Sequence, residues 1–182
     1  YGNVGAYGHS ISERVESVQF FDGQQVRKID NVGCEFDYRE SVFKRYKKWM
    51  IFQTRLVLDP TSTVELRKIA DDIMAVRDEK FPPTMRCVGS IFKNLHLKNL
   101  PTEVAVRVPE RVVREGKVSA AYFLEQVGAK GMQRGGIRIA DYHANLIYNT
   151  GAGTAVELRA LILELKCCIR ERFGFEVEEE VQ

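Results

Sequence analysis

Long apolar runs are missing from this sequence of 182 residues, and the ~20 consecutive apolar residues that a membrane-spanning helix requires occur nowhere. Cysteine is scarce. Cys34, Cys87, Cys167 and Cys168 form no CxxC pair, which excludes a disulfide framework and a thiolate zinc site and fits a reducing, cytoplasmic setting. His9, His96 and His143 lack ligand spacing, so no metal is expected. Neither sign of charge prevails: 27 basic residues face 25 acidic ones, and a net charge of +2 makes no electrostatic case for nucleic acid. The one dense basic run, KRYKK at 44–48, reads as the solvated edge of a strand. No GxGxxG follows a strand and no GxSxG elbow occurs, so the dinucleotide-fold and serine-hydrolase patterns fail. Internal repeats and low-complexity tracts are absent. The chain opens on YGNVGAYGHS, with no initiator Met and no basic or apolar leader.

What is there is a balanced composition, 45% apolar and 29% charged, enough for a buried core in one ordinary domain or two small ones. VESVQFF-DG-QQVRKI (15–29) predicts a hairpin, with Asp22-Gly23 supplying the positive-φ turn. WMIFQTRLVL (49–58) predicts a half-buried strand with Met50, Phe52, Leu56 and Leu58 on the core face and Gln53 and Arg55 opposite. Ser62 and Glu65 then form a capping box, and Leu66, Ile69, Ile73 and Val76 predict an amphipathic helix over 63–78. Phe81-Pro82-Pro83 stops it and marks a candidate domain boundary.

Beyond that point RCVGSIFK (86–93) predicts a strand and 94–103 a loop. Ser119 caps a short helix ending at Gly128, and GIRI and NLIYN are strands around a turn at 141–144. A second capping box, Thr154 with Glu157, opens the longest helix. Its core stripe is Leu158, Leu161/Ile162, Leu165, Cys168/Ile169 and Phe173; Gly174 stops it, and FEVEEEVQ predicts a last strand. Interspersed helices and hairpin-like strand pairs give an α+β class in two parts.

Four stretches combine special backbone needs with reactive side chains. The opening glycines allow close backbone approach to a ligand, or form an ordinary turn. In FDYRESVFK (36–44), Arg39 beside Tyr38 offers a planar clamp for a carboxylate or phosphate, or sits at the surface. In VGSIFKN (88–94), Gly89 precedes Ser90, and Asn94 points with Ser90 and Phe92 at period two; the serine is either reactive or satisfied by backbone. The acidic end Glu178-Glu179-Glu180 lies between Val177 and Val181. It is a solvated tail, or alternation turns one glutamate inward to serve in acid–base work.

Taken in order, NVGAYG, FDYRESVFK, GSIFKN, HANLIYNTG and RERFGFEVEEEV resemble the UDP-N-acetylenolpyruvoylglucosamine reductase (MurB) family over essentially the whole chain. The chain corresponds to about the C-terminal two-thirds of that family's length, so Tyr1 is expected to fall inside the flavin-binding region of a longer protein. The resemblance implies a vanillyl-alcohol-oxidase-type FAD-binding domain, its second part at 1–80, an α+β substrate domain at 81–174 and a strand at 175–182 returning to the flavin. It implies an oxidoreductase of peptidoglycan and cell-wall synthesis, active in cell shape and division. NADPH reduces FAD, and the flavin then passes hydride to UDP-N-acetylglucosamine enolpyruvate to give UDP-N-acetylmuramate. A chain lacking the pyrophosphate-holding segment is expected to bind FAD weakly, and the alternative is a non-catalytic nucleotide-sugar-binding fragment.

By the family's motifs, Arg39 resembles the arginine that polarises the substrate carboxylate, Glu180 its carboxyl partner and Ser90 the proton donor to the neighbouring carbon. Lys80 and Asn94 resemble the residues that hold the UDP-sugar. Asn3, Gly5, Ala6, Tyr7 and Gly8 match the loop lying against the flavin. Leu95 stands where the family often has proline after the asparagine. Glu179 stands where proline usually precedes the glutamate, so a one-residue shift would pass that role to Glu178 or Glu179. The segment between Leu58 and Lys80 resembles the family's type without a tyrosine-bearing insertion.

Overall fold

In the computed structural model, which describes residues 1–180, VESVQFF forms the central strand, Val15–Phe21, of a three-stranded antiparallel sheet. Val26–Asp30 and Met50–Leu56 flank it. The connecting turn is longer than the expected Asp-Gly pair and spans residues 22–25. The Asp22 carboxylate accepts the Gln24 and Gln25 N–H groups at 2.8 Å each, and Gly23 takes φ +99°. Val15, Val18 and Phe20 meet Cys34, Val42 and Phe43 in a small core. Trp49 stacks on Phe20 with ring centroids 4.5 Å apart.

At its start the third strand reverses the expected faces, while Gln53 and Arg55 are exposed as expected. Ile51 packs on the core, whereas Met50 and Phe52 are 57% and 61% exposed, and Leu56 and Leu58 are exposed as well. The pairing explains the reversal. Ile51 lies opposite Phe20, and the register shifts between Gln19 and Phe20; a one-residue slip exchanges the two faces of a strand.

The next helix, Thr63–Lys80, forms as expected, but none of its residues is buried. Leu66, Ile69 and Val76, the stripe expected to pack, are each more than half exposed. Its form rests on local signals: the Ser62 hydroxyl accepts the Glu65 N–H at 3.4 Å, and the segment is rich in Ala, Glu, Lys, Leu and Arg. The chain divides into two compact units within this helix's last turn, Tyr1–Val76 and a second beginning at Arg77.

The second unit holds a four-stranded antiparallel sheet in the order Gln133–Arg134, Ile137–Ala140, His143–Asn149, Arg86–Ser90. The capping box at Thr154 and Glu157 is complete, with bonds of 2.7 and 3.2 Å, and starts the Ala155–Phe173 helix. Leu161, Leu165 and Ile169 of that helix are wholly buried with Phe123, Leu124, Ile139 and Ile147. Gly174, at φ +73°, ends it. The Ser119 hydroxyl caps Ala120–Gln126 by accepting the Ala121 N–H at 3.3 Å. Phe123 meets Phe173 and Phe175 edge-on.

Two expectations change here. The loop at 94–103 contains a short strand, Leu95–His96, because its backbone pairs with Lys117–Val118. The last strand is reduced to a bridge between Phe92 and Glu179, with Lys93 N–H donating to the Glu178 carbonyl at 2.9 Å and Glu180 N–H to the Ile91 carbonyl at 2.7 Å. Positions 181 and 182 of that expected strand, Val181 included, lie outside the described residues. The class is α+β. Among the described residues no helix is long and apolar enough to cross a membrane.

Candidate functional site

In the first unit the opening glycines and the FDYRE turn come together. Gly5–Ala6 and His9–Ser10 form a two-stranded ribbon whose tip is Tyr7 and Gly8, both at positive φ. The Arg39 guanidinium donates to the Gly5 carbonyl. A Cβ on Gly5 would lie 2.8 Å from the His9 carbonyl oxygen and 3.1 Å from Arg39 Nη1, so only glycine permits this approach. Asn3 is almost wholly buried: its Nδ2 donates to the Asp37 carbonyl at 2.9 Å and its Oδ1 accepts the Ser12 N–H at 3.2 Å. Asn3 therefore fastens the ribbon, while the Tyr7 tip stays exposed.

Arg39 itself adopts φ +56°, a left-handed conformation that a non-glycine residue holds only under constraint. The buried Lys44 supplies that constraint by donating from Nζ to the Arg39 carbonyl at 3.0 Å. The guanidinium also lies 5.2 Å from the Tyr38 ring centre.

In the second unit Ser90 ends its strand immediately after Gly89, which takes φ +92°. The period-two expectation for 90–94 does not hold. Ile91 and Phe92 are both buried and Asn94 is exposed, because the register against the neighbouring strand shifts between Leu146 and Tyr148. The three glutamates separate by partner. Glu178 pairs with Lys93 at 2.8 Å and Glu179 with Lys166 of the long helix at 2.9 Å, while Glu180 bonds through its backbone to Ile91, next to Ser90.

Lys80 ends its helix, with its carbonyl accepting the Tyr142 hydroxyl at 2.7 Å and its Nζ 5.2 Å from the Phe81 ring centre. Burial lowers the Lys80 ammonium from the ordinary lysine value. Burial, and then the charge of Lys80, lowers His143. The Asn145 N–H donates to His143 Nδ1 at 3.2 Å, which leaves the neutral ring's proton on Nε2. Residue patterns assign His143 and Asn145 no role. An asparagine inside an apolar strand was the available signal.

The C-terminal-domain model of UDP-N-acetylenolpyruvoylglucosamine reductase matches residues 81–182. The chain is 66% identical to the UDP-N-acetylenolpyruvoylglucosamine reductase of Solibacter usitatus, over 100% of this chain and 58% of that protein. It is 30% identical to that of Pseudothermotoga lettingae, over 100% of this chain and 57% of that protein. A crystal structure of UDP-N-acetylenolpyruvylglucosamine reductase (MurB) from Thermus caldophilus superposes with a TM-score of 0.68 at 24% identity, covering 100% of this chain and 57% of that one. The chain thus spans a little over half the length of these relatives.

Proposed function

The chain belongs to the UDP-N-acetylenolpyruvoylglucosamine reductase family, and we propose that the protein carrying it reduces UDP-N-acetylglucosamine enolpyruvate to UDP-N-acetylmuramate. On this proposal NADPH is the reductant, FAD the cofactor and cytoplasmic peptidoglycan synthesis the setting. The first unit belongs to the flavin-binding region, and residues 81–174 bind the substrate. The observation that carries the proposal is the bond from Glu180 N–H to the Ile91 carbonyl, which brings the Glu180 backbone beside the segment that begins at Ser90.

Glu180 is the glutamate we assign to the reaction, because its backbone bonds to Ile91, next to Ser90. FAD fits the exposed Tyr7-Gly8 tip: nothing stands within 4 Å of where a Cβ on Gly8 would be, and Asn3, Gly5 and Ala6 hold the ribbon behind it. When bound there, FAD supplies hydride to the methylene carbon of the enolpyruvyl group. Arg39 then polarises the substrate carboxylate, where charge develops. Ser90 protonates the adjacent carbon. A serine hydroxyl is a weak acid in water, and it serves here only against a strongly basic, desolvated carbon with the donor held in line. Glu180 acts in the same step, and Lys80 and Asn94 hold the nucleotide sugar.

One contrast favours a second reading for the isolated chain. The second unit closes its own core, whereas the first leaves a sheet face exposed, so the chain alone would bind the nucleotide sugar without retaining FAD. An absorption spectrum of the purified chain with added FAD, beside a thermal shift with UDP-N-acetylglucosamine enolpyruvate, separates the two. A bound-flavin spectrum supports an enzyme-competent chain. A thermal shift without bound flavin supports the binding module. Absence of both removes the functional proposal from this chain.

A further inference from the structure

The His143–Asn149 strand carries a polar side chain where its neighbours are apolar. Ala144, Asn145 and Leu146 are each at most 1% exposed. An amide in such surroundings destabilises the fold unless its hydrogen-bonding groups are met. A single peptide segment meets them. Asn145 Oδ1 accepts the Phe92 N–H at 2.9 Å, and Nδ2 donates to the Phe92 carbonyl at 2.8 Å. The Asn145 carbonyl also accepts the Ile91 N–H at 3.1 Å.

Phe92 requires this partner because the regular ladder stops at Ser90, just past a register shift between the Cys87–Tyr148 and Ser90–Leu146 pairs. A buried peptide past that point would leave one donor and one acceptor unmet, and a carboxamide side chain offers the complementary pair. Glu178 and Glu180 hold the same segment through Lys93 and Ile91. Ser90 therefore stands at the start of a short, kinked segment whose path depends on Asn145.

We propose that Asn145 is a positioning residue for proton delivery: by gripping the Phe92 peptide it sets the direction in which Ser90 presents its hydroxyl. This rests on the reading of Ser90 as proton donor. In that step the Ser90 O–H bond breaks as a C–H bond forms, the carbon's electron pair makes the new bond, and the serine alkoxide recovers its proton from water. In-line proton transfer tolerates little displacement, and a shift of about 1 Å in a reacting group costs on the order of 10²-fold in rate.

The test uses the full-length flavoenzyme, with flavin reduction by NADPH and flavin reoxidation by the enolpyruvyl substrate followed separately. Ser90→Ala and Asn145→Ala should each slow reoxidation about tenfold or more and leave reduction nearly unchanged. Asn145→Ala should add little in the Ser90→Ala background, since it acts through that serine. Amide exchange should accelerate at Phe92 in Asn145→Ala, whatever the activity. Should that variant fail to fold, Asn145→Ser keeps a small polar group at the position and removes the amide pair that grips Phe92. Unchanged Phe92 exchange, equal slowing of both half-reactions, or losses that multiply in full in the double variant would each overturn the role of Asn145. Reoxidation unaffected by Ser90→Ala would instead remove the serine as donor, and the role of Asn145 with it.

Discussion

Two helices of nearly equal length have opposite fates in this molecule. Ala155–Phe173 buries Leu161, Leu165 and Ile169 completely, while Thr63–Lys80, with a stripe of the same kind, buries nothing. The sheets repeat the contrast. Three of the four residues of Ile137–Ala140 are buried together with most of His143–Asn149, whereas Met50–Leu56 exposes Met50, Phe52 and Leu56. An apolar stripe thus predicts that a helix forms and which face is available for packing. It does not predict that a partner element is at hand. The second unit is held by its core, and the first by a small aromatic cluster and polar clasps such as Asn3 to Asp37 and Asp22 to its own turn.

That contrast can be broken most directly at the second core. Leu165→Ala should destabilise the second unit by about 3–5 kcal/mol in chemical denaturation, through lost burial and a cavity. A loss below about 1 kcal/mol would mean that the core repacks and that the difference between the units is one of degree.

Gly5→Ala tests the clasped half. The added Cβ meets the His9 carbonyl oxygen, so about 1–3 kcal/mol should be lost. Amide exchange should quicken at Ile11, whose N–H donates to the Val4 carbonyl.

Asp22→Asn probes the polar turn through pH. The Gln25 and Gln24 N–H groups, and then Arg27, hold the Asp22 carboxyl down at about 2. A depressed carboxyl contributes stability above its ordinary range and loses that contribution as pH falls through its folded value. The variant should therefore be less stable than the parent at pH 7, with the gap closing between pH 4 and 2. A gap that stays constant would assign the turn's stability to something other than this charge.

The smallest effect is expected at the open face. Phe52→Ser should change stability by no more than about 0.5 kcal/mol in this chain, since the ring is mostly solvated already. A loss near 2 kcal/mol would mean that the face is covered in solution, and the contrast between the sheets would fall.

Local chemistry is where residues alone were sufficient. The Thr154–Glu157 capping box, the Ser62 and Ser119 caps, the Gly174 stop and the hairpin at 15–29 depend on side chains and backbone groups within a few positions of one another. The order of NVGAYG, FDYRESVFK, GSIFKN, HANLIYNTG and RERFGFEVEEEV along the chain is enough to place it in its family. Strand faces and the separation of the three glutamates were beyond that range. Ile51 faces inward because it is paired with Phe20 across a shifted register. Glu178 and Glu179 are taken by Lys93 and Lys166, from a distant strand segment and a helix. Asn145 becomes meaningful only when Phe92, 53 positions away, loses its ladder partner. Neighbours in sequence dictate where helices and turns begin and end. Register, burial and the partner of a buried amide are properties of contacts between distant segments, and only the tertiary structure supplies those.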